Sequence, residues 1–293
     1  MVASWAVILS ALVYLCLLFA VAYWGDNGGR RIFKGHARST IAALSLGVYC
    51  TSWTFFGSVG LASHSGLDFL TIYIGPILVI GFGHLLVSRV VRIAKTQNIS
   101  SIADFVAARY GKSERVAALV SLIALVGSIP YIALQLKAVA SSLDVFLKAA
   151  NGFTPQSVPF FGDLALAVAL VLAGFAVAFG TRHTDATEHQ DGLMLAISLE
   201  SVVKLAAFLV VGGYVTFIMF EGYDGIVDRL HAQDISASLL ERTSGFGSFI
   251  TLILLSSCAA LLLPRQFHMT VVENRAIEDV KRAAWLFPVY LVA

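Results

Sequence analysis

The 293-residue chain is 58% hydrophobic and 13% charged, with a mean hydropathy of +0.83, against about 45–50% and about 25% in an ordinary soluble domain. Its 20 Lys and Arg against 18 Asp and Glu leave a formal charge of +2, which excludes the strongly basic balance expected of a nucleic-acid-binding protein. Cys16, Cys50 and Cys258 all lie in apolar stretches without CxxC spacing, which excludes a disulfide framework and a cysteine metal site.

A hydrocarbon core of about 30 Å takes about twenty apolar residues in a helix, because every backbone amide must be satisfied within the span. Seven runs meet that demand, at about 3–24, 39–61, 69–91, 116–147, 164–180, 193–220 and 249–263, and an eighth begins at 284 and is still running at 293. The expected class is an all-α polytopic membrane protein, cut off before its architecture is complete. No basic residue precedes the first run, and it exceeds the length of a signal-peptide core, so it is read as a retained span.

One set of helix ends is basic, from Arg30, Arg31, Lys34 and Arg38 through Arg89, Arg92 and Lys95 to Arg265, Lys281 and Arg282. The opposite ends carry only Lys148, Arg229 and Arg242. This asymmetry predicts cytoplasmic basic ends and an outside N-terminus. Between the third and fourth spans, Ile99, Ile102, Phe105, Val106 and Tyr110 recur at helical spacing, with Ser101 and Asp104 as a cap and Gly111 as a stop. They predict a short interfacial helix with its apolar stripe on the membrane. A second such helix is expected over 273–282, and 221–244 reads as a loop with room for a short helix.

The second span carries Gly47, Tyr49, Cys50, Thr51, Ser52, Trp53, Thr54, Gly57, Ser58 and Gly60. Small and hydroxylic residues at that density serve either a broken helix that lines a polar cavity or close helix packing. In the sixth span, Glu200 and Lys204 stand i to i+4 with the acid first, the favourable order for an ion pair on one face. An unpaired charge at mid-bilayer costs roughly 2.5–3.5 kcal/mol on insertion scales, so a mutual pair is the favoured reading over an ion relay. Gly75 with Pro76, and Gly127 and Ser128 with Pro130, are expected to interrupt the third and fourth spans. Tyr131 and Gln135 lie a turn apart beyond Pro130, placed to line a cavity or to be satisfied inside the protein.

His183, Asp185, Glu188, His189 and Asp191 match no metal-ligand spacing and read as a solvated junction. No Walker loop, GxSxG elbow or Rossmann glycine pattern occurs, so no catalytic residue is assigned.

Three stretches carry a resemblance: ALSLGVYCTSWTFFGSVG over Ala43–Gly60, ATEHQDGLMLAISLESVVKLAAF over Ala186–Phe208, and LPRQFHMTVVENRAIEDVKRAAWLFPVYL over Leu263–Leu291. With ISSIADFVAARYG they resemble the sodium:solute symporter family, and within it the subgroup fused to sensor histidine kinases that regulate carbon and nitrogen use in bacteria. The resemblance implies a LeuT-type fold of two inverted five-helix repeats after one extra N-terminal helix, of which this chain would hold the first repeat and the opening of the second. It implies a multi-pass protein of the bacterial inner membrane, a small solute such as an amino acid, and a downstream kinase domain or response regulator as partner. These residues would themselves not be an enzyme.

By the same resemblance, Val48, Tyr49, Ser52 and Trp53 are candidate solute or ion contacts, and the residue pattern adds Gly57, Tyr131 and Gln135 to them. Na+ is the implied coupling ion, although 39–61 lacks the aspartate that some sodium-coupled members carry there. The rival expectations are a plain secondary transporter and a membrane fragment without function.

Overall fold

A computed structural model describes residues 4–27, 35–151, 166–170, 172–174, 191–232, 244–274 and 276–293. Among them every regular element is helical, and no strand occurs. The helices are α1 (Ser4–Asn27), α2 (Gly35–Ser45), α3 (Ser52–Ser65), α4 (Thr71–Pro76), α5 (His84–Thr96), α6 (Ile102–Arg109), α7 (Glu114–Asn151), α8 (Asp191–Gly213), α9 (Tyr223–Ala232), α10 (Phe246–Leu262), α11 (Pro264–Phe267) and α12 (Ile277–Val292). Residues 166–170 and 172–174, inside the expected fifth span, are helical. The rest of that span, and the junction carrying His183 and His189, lie outside the described residues.

Among the described residues, four stretches are long and apolar enough to cross a membrane: Leu9–Asn27, Thr54–Phe82, Glu114–Phe146 and Gly192–Met219, with Phe246–Leu262 plus Pro264–Val272 as a bent pair at 56°. Thr54–Phe82 is not one rod. Ser58 and Tyr73 share a hydroxyl–hydroxyl bond of 2.7 Å, whereas fifteen residues of straight helix would part them by about 22 Å. The chain reverses at Gly66, whose φ of 56° and ψ of −117° suit glycine rather than a side-chain-bearing residue. The second and third spans are therefore antiparallel neighbours.

The structure corrects several expectations. α7 runs through Pro130 as a single α-helix, with Ser128 Oγ bonded back to Ala124 O at 2.7 Å. In the third span, Pro76 removes an amide donor, and the following turns widen to π-helix over Ile77–Phe82. The seventh helix does not stop at 263 but bends there and continues to Val272. The second interfacial helix does not exist as a separate element, because α12 already starts at Ile277. α6 forms with Ser101 Oγ accepting from Asp104 N at 3.1 Å and ends at Gly111 with φ of 65°. Most of its stripe faces protein, with Ile99, Ile102 and Phe105 in or against the core and Phe105 beside Phe267 at 5.5 Å between rings, while Tyr110 is exposed.

The core gathers where α2, α5, α8, α11 and α12 meet. Leu46, Val87, Val91, Met194, Phe267, Val271, Val280 and Phe287 are buried there in one cluster. Each such side chain contributes roughly 1.5–3 kcal/mol against water. α7 is the opposite case. Of the span Glu114–Phe146 only Ala140 is buried, and Leu122, Ile123, Val126 and Ile129 lie on its open surface, an apolar exterior that is costly in water.

Candidate functional site

α2 tightens into a 3-10 turn over Leu46–Tyr49 and stops. Cys50 is extended (φ −77°, ψ 94°), as is Thr51 (φ −107°, ψ 172°), and α3 starts anew at Ser52. The local sequence explains the stop. Thr51 and Thr54 form a reciprocal cap: Thr51 N donates to Thr54 Oγ1 at 2.7 Å, and Thr54 N donates to Thr51 Oγ1 at 3.4 Å. Gly47 lets the end of α2 press on α8, since a Cβ there would stand 2.5 Å from Ser201 Oγ.

Breaking a helix frees carbonyls, and here side-chain cations take them. Lys204 Nζ of α8 donates to Cys50 O at 3.2 Å and pairs with Glu200 Oε1 at 2.5 Å. Arg265 Nη2 donates to Val48 O at 2.8 Å and to Tyr131 Oη at 3.1 Å, with its guanidinium carbon 5.8 Å from the Tyr131 ring centre. Gln135 of α7 spans the break from the other side. Its Nε2 donates to Thr51 Oγ1 at 3.0 Å, and its Oε1 accepts from Ser52 Oγ at 2.9 Å.

Arg265 arrives from a second break. Leu263 is extended (φ −59°, ψ 134°) between α10 and α11, with Pro264 opening α11, as the steric demand of a proline on its predecessor requires. Two interrupted helices thus meet break to break.

Val48, Ser52, Tyr131, Gln135, Glu200 and Lys204 come together here, Val48 through its carbonyl alone. Tyr49 does not join them. Its side chain is buried toward α4, donating to Ile72 O at 2.9 Å, with Phe287 edge-on at 6.4 Å. Gly57 sits further along α3, beyond the first turn. The Trp53 side chain lies outside the described residues. Cys50 and Thr51 were named in the second span without a site role, and Arg265 is the member that the sequence reading missed. Thr51 was detectable from its Thr-x-x-Thr cap. Arg265 was not, because it follows an apolar run and imitates a basic helix flank.

The Glu200–Lys204 pair gives a direct test. Glu200→Gln leaves the ammonium with Cys50 O as its remaining partner and is expected to cost up to about 3 kcal/mol, whereas Glu200→Gln with Lys204→Met is expected to recover part of that loss. Unfolding of both variants in detergent measures it, and equal stability would show the two charges to be uncoupled.

No family model, curated protein or solved structure matches this chain. Fold and site define an all-helical protein with several helices long and apolar enough to cross a membrane, two of its helices interrupted face to face around a cluster of polar groups.

Proposed function

We propose that this chain is the transporter-like membrane module of a nutrient sensor, which binds a small carboxylate-bearing solute, such as an amino acid, between the two helix breaks. Its signal would pass to a histidine kinase that belongs to the same system. The observation that carries the reading is Arg265. Its guanidinium reaches from one break to the Val48 carbonyl of the other, and among the described residues no carboxylate pairs with it.

Glu200 is engaged by Lys204, so the local balance favours an incoming anion. The start of α3 adds to it, because the first amides of a helix lack partners within the helix and carry partial positive charge. Interrupted helices meeting at a polar cluster suit a solute site, since backbone groups become available where the helix is unwound. The symporter-like stretches over Ala43–Gly60, Ala186–Phe208 and Leu263–Leu291 add the sensor reading and an inner-membrane location, and the asymmetry of basic helix ends adds an N-terminus outside.

Na+ does not fit the break. The freed carbonyls of Val48 and Cys50 are held by Arg265 and Lys204, and a third cation would meet two fixed ones beside a single carboxylate that is already paired. The reading therefore assigns no step to Na+.

Calorimetric titration of amino acids into the purified protein tests the binding half. Saturable binding is expected, weakened about 10- to 100-fold in Arg265→Gln, the worth of a charge-assisted hydrogen bond. Absence of saturation across the common amino acids would overturn it. A plain secondary transporter is the second reading, favoured by the same interrupted helices. Vesicle uptake without any solute-dependent kinase phosphorylation in the full-length protein would select it.

A further inference from the structure

Away from the helix breaks, the start of α12 packs beside the start of α2 and leaves a cavity of about 670 Å³, whose lining includes His36, Arg38, Glu278, Lys281, Arg282 and Trp285. Arg38 is committed to the buried Asp279, to which its guanidinium donates. That leaves Lys281 and Arg282 against Glu278, with His36 in the same lining, near the positive end of a sixteen-residue helix. Arg282 Nε is buried and has no hydrogen-bond partner among the described residues, an arrangement that is costly unless an acceptor arrives. Lys95 belongs to the same neighbourhood. Its pKa is lowered by burial first, and among the charges acting on it Asp279 and Glu278 raise it while Arg38 lowers it.

What separates this cavity from a plain anion site is the surface that continues from it. Lys281, Trp285, Val289 and Val292 follow at helical spacing and share one face of α12. All four are exposed, with Trp285 and Val289 each at 56% and Val292 at 77%. A basic cavity thus opens onto a tryptophan and then onto an apolar stripe along the same helix. Charged groups at headgroup depth, an aromatic ring at the interface and aliphatic residues beyond it follow the polarity profile of a bilayer leaflet.

We propose that this groove holds an anionic phospholipid, with the phosphate between Lys281, Arg282 and His36 and an acyl chain along Trp285, Val289 and Val292. The phosphate supplies the acceptor that Arg282 Nε lacks. Trp285 packs on the glycerol region, and the lipid covers the stripe of α12 that no protein group covers among the described residues.

Native mass spectrometry of the purified protein in dodecylmaltoside, with added phosphatidylglycerol or phosphatidylcholine, tests this. Phosphatidylglycerol is expected to be retained about tenfold better than phosphatidylcholine, and Lys281→Gln, a change at an exposed side chain, to reduce that preference about fivefold, from roughly 1 kcal/mol per basic residue at a membrane surface. Trp285→Ala is expected to weaken retention of both lipids. Thermal unfolding in millimolar inorganic phosphate forms the third arm and is expected to show no protection. Equal retention of the two lipids, an unchanged preference in both Lys281→Gln and Arg282→Gln, or full protection by inorganic phosphate alone would each overturn the proposal.

Discussion

Asp279→Ala is expected to lower stability by about 3–5 kcal/mol, the range for breaking a buried ion pair by removing one partner. Asp279 is 2% exposed. It accepts from the Arg38 guanidinium, from Ser39 Oγ at 2.8 Å and from Ala276 N at 3.1 Å. A single carboxylate therefore caps α12 and ties it to α2, across 241 positions of sequence. Its removal leaves the Arg38 charge half-buried and both helix starts unheld. Asp279→Asn keeps the shape and some of the bonds, so it is expected to lose less, and Ser39→Ala only about 1 kcal/mol. Denaturant unfolding in detergent ranks the three. A loss below 1 kcal/mol for Asp279→Ala would show that the clamp does not hold the two helices.

Gly75→Val is the second large effect, with an expected cost of about 3 kcal/mol or more, at or above the upper end of overpacking losses. A Cβ at Gly75 would stand 2.0 Å from Ser256 Oγ, 2.6 Å from Ser257 N and 2.8 Å from Ile253 O. Two of those atoms are backbone of α10, which no rotamer change can move aside. The interface is also hydrogen-bonded, with Ser256 Oγ donating to Thr71 O at 2.6 Å and Ser257 Oγ to Gly75 O at 3.3 Å. Pushing α10 away would loosen both bonds and shift Arg265, which sits just past the bend at the end of α10. The expected readout is a lower unfolding midpoint together with weaker solute binding. Native stability in Gly75→Val would mean that α4 and α10 are not in contact at this depth.

Much of this was legible locally. Apolar runs mark helices because the backbone must satisfy itself wherever water is excluded, and α1, α7 and α8 lie close to the stretches that hydropathy marks. Ser101, Asp104 and Gly111 fixed the ends of α6 through bonds no more than four residues long. Glu200 and Lys204 were a pair on paper because i and i+4 meet on any helix. The glycines and hydroxyls of the second span left two readings open, broken helix or close packing, and both hold. Thr51 and Thr54 cap a real break, while Gly47 packs against Ser201.

Errors arose wherever the answer depended on a distant partner. Arg265 read as a basic flank because hydropathy sees only that an apolar run has ended, not that the helix bends at Leu263 and resumes. Tyr49 is a site candidate by the symporter resemblance, and the placement of its side chain depends on distant groups, the Ile72 carbonyl and the Phe287 ring, which draw it into the core. The stripe of α6 was assigned to lipid because an apolar face carries no record of what it meets.

By itself, the sequence determined that this is an all-helical protein with spans long enough for a bilayer, where α6 starts and stops, and which charges can pair within a turn. Those properties follow from hydrogen bonds and side-chain contacts that close within a few residues. Only the tertiary structure decided that the two breaks face each other, that Arg265 and Lys204 hold the carbonyls freed there, and that Asp279 clamps α2 to α12. Such contacts join residues more than 150 positions apart, and neither spacing nor hydropathy encodes a distance of that kind.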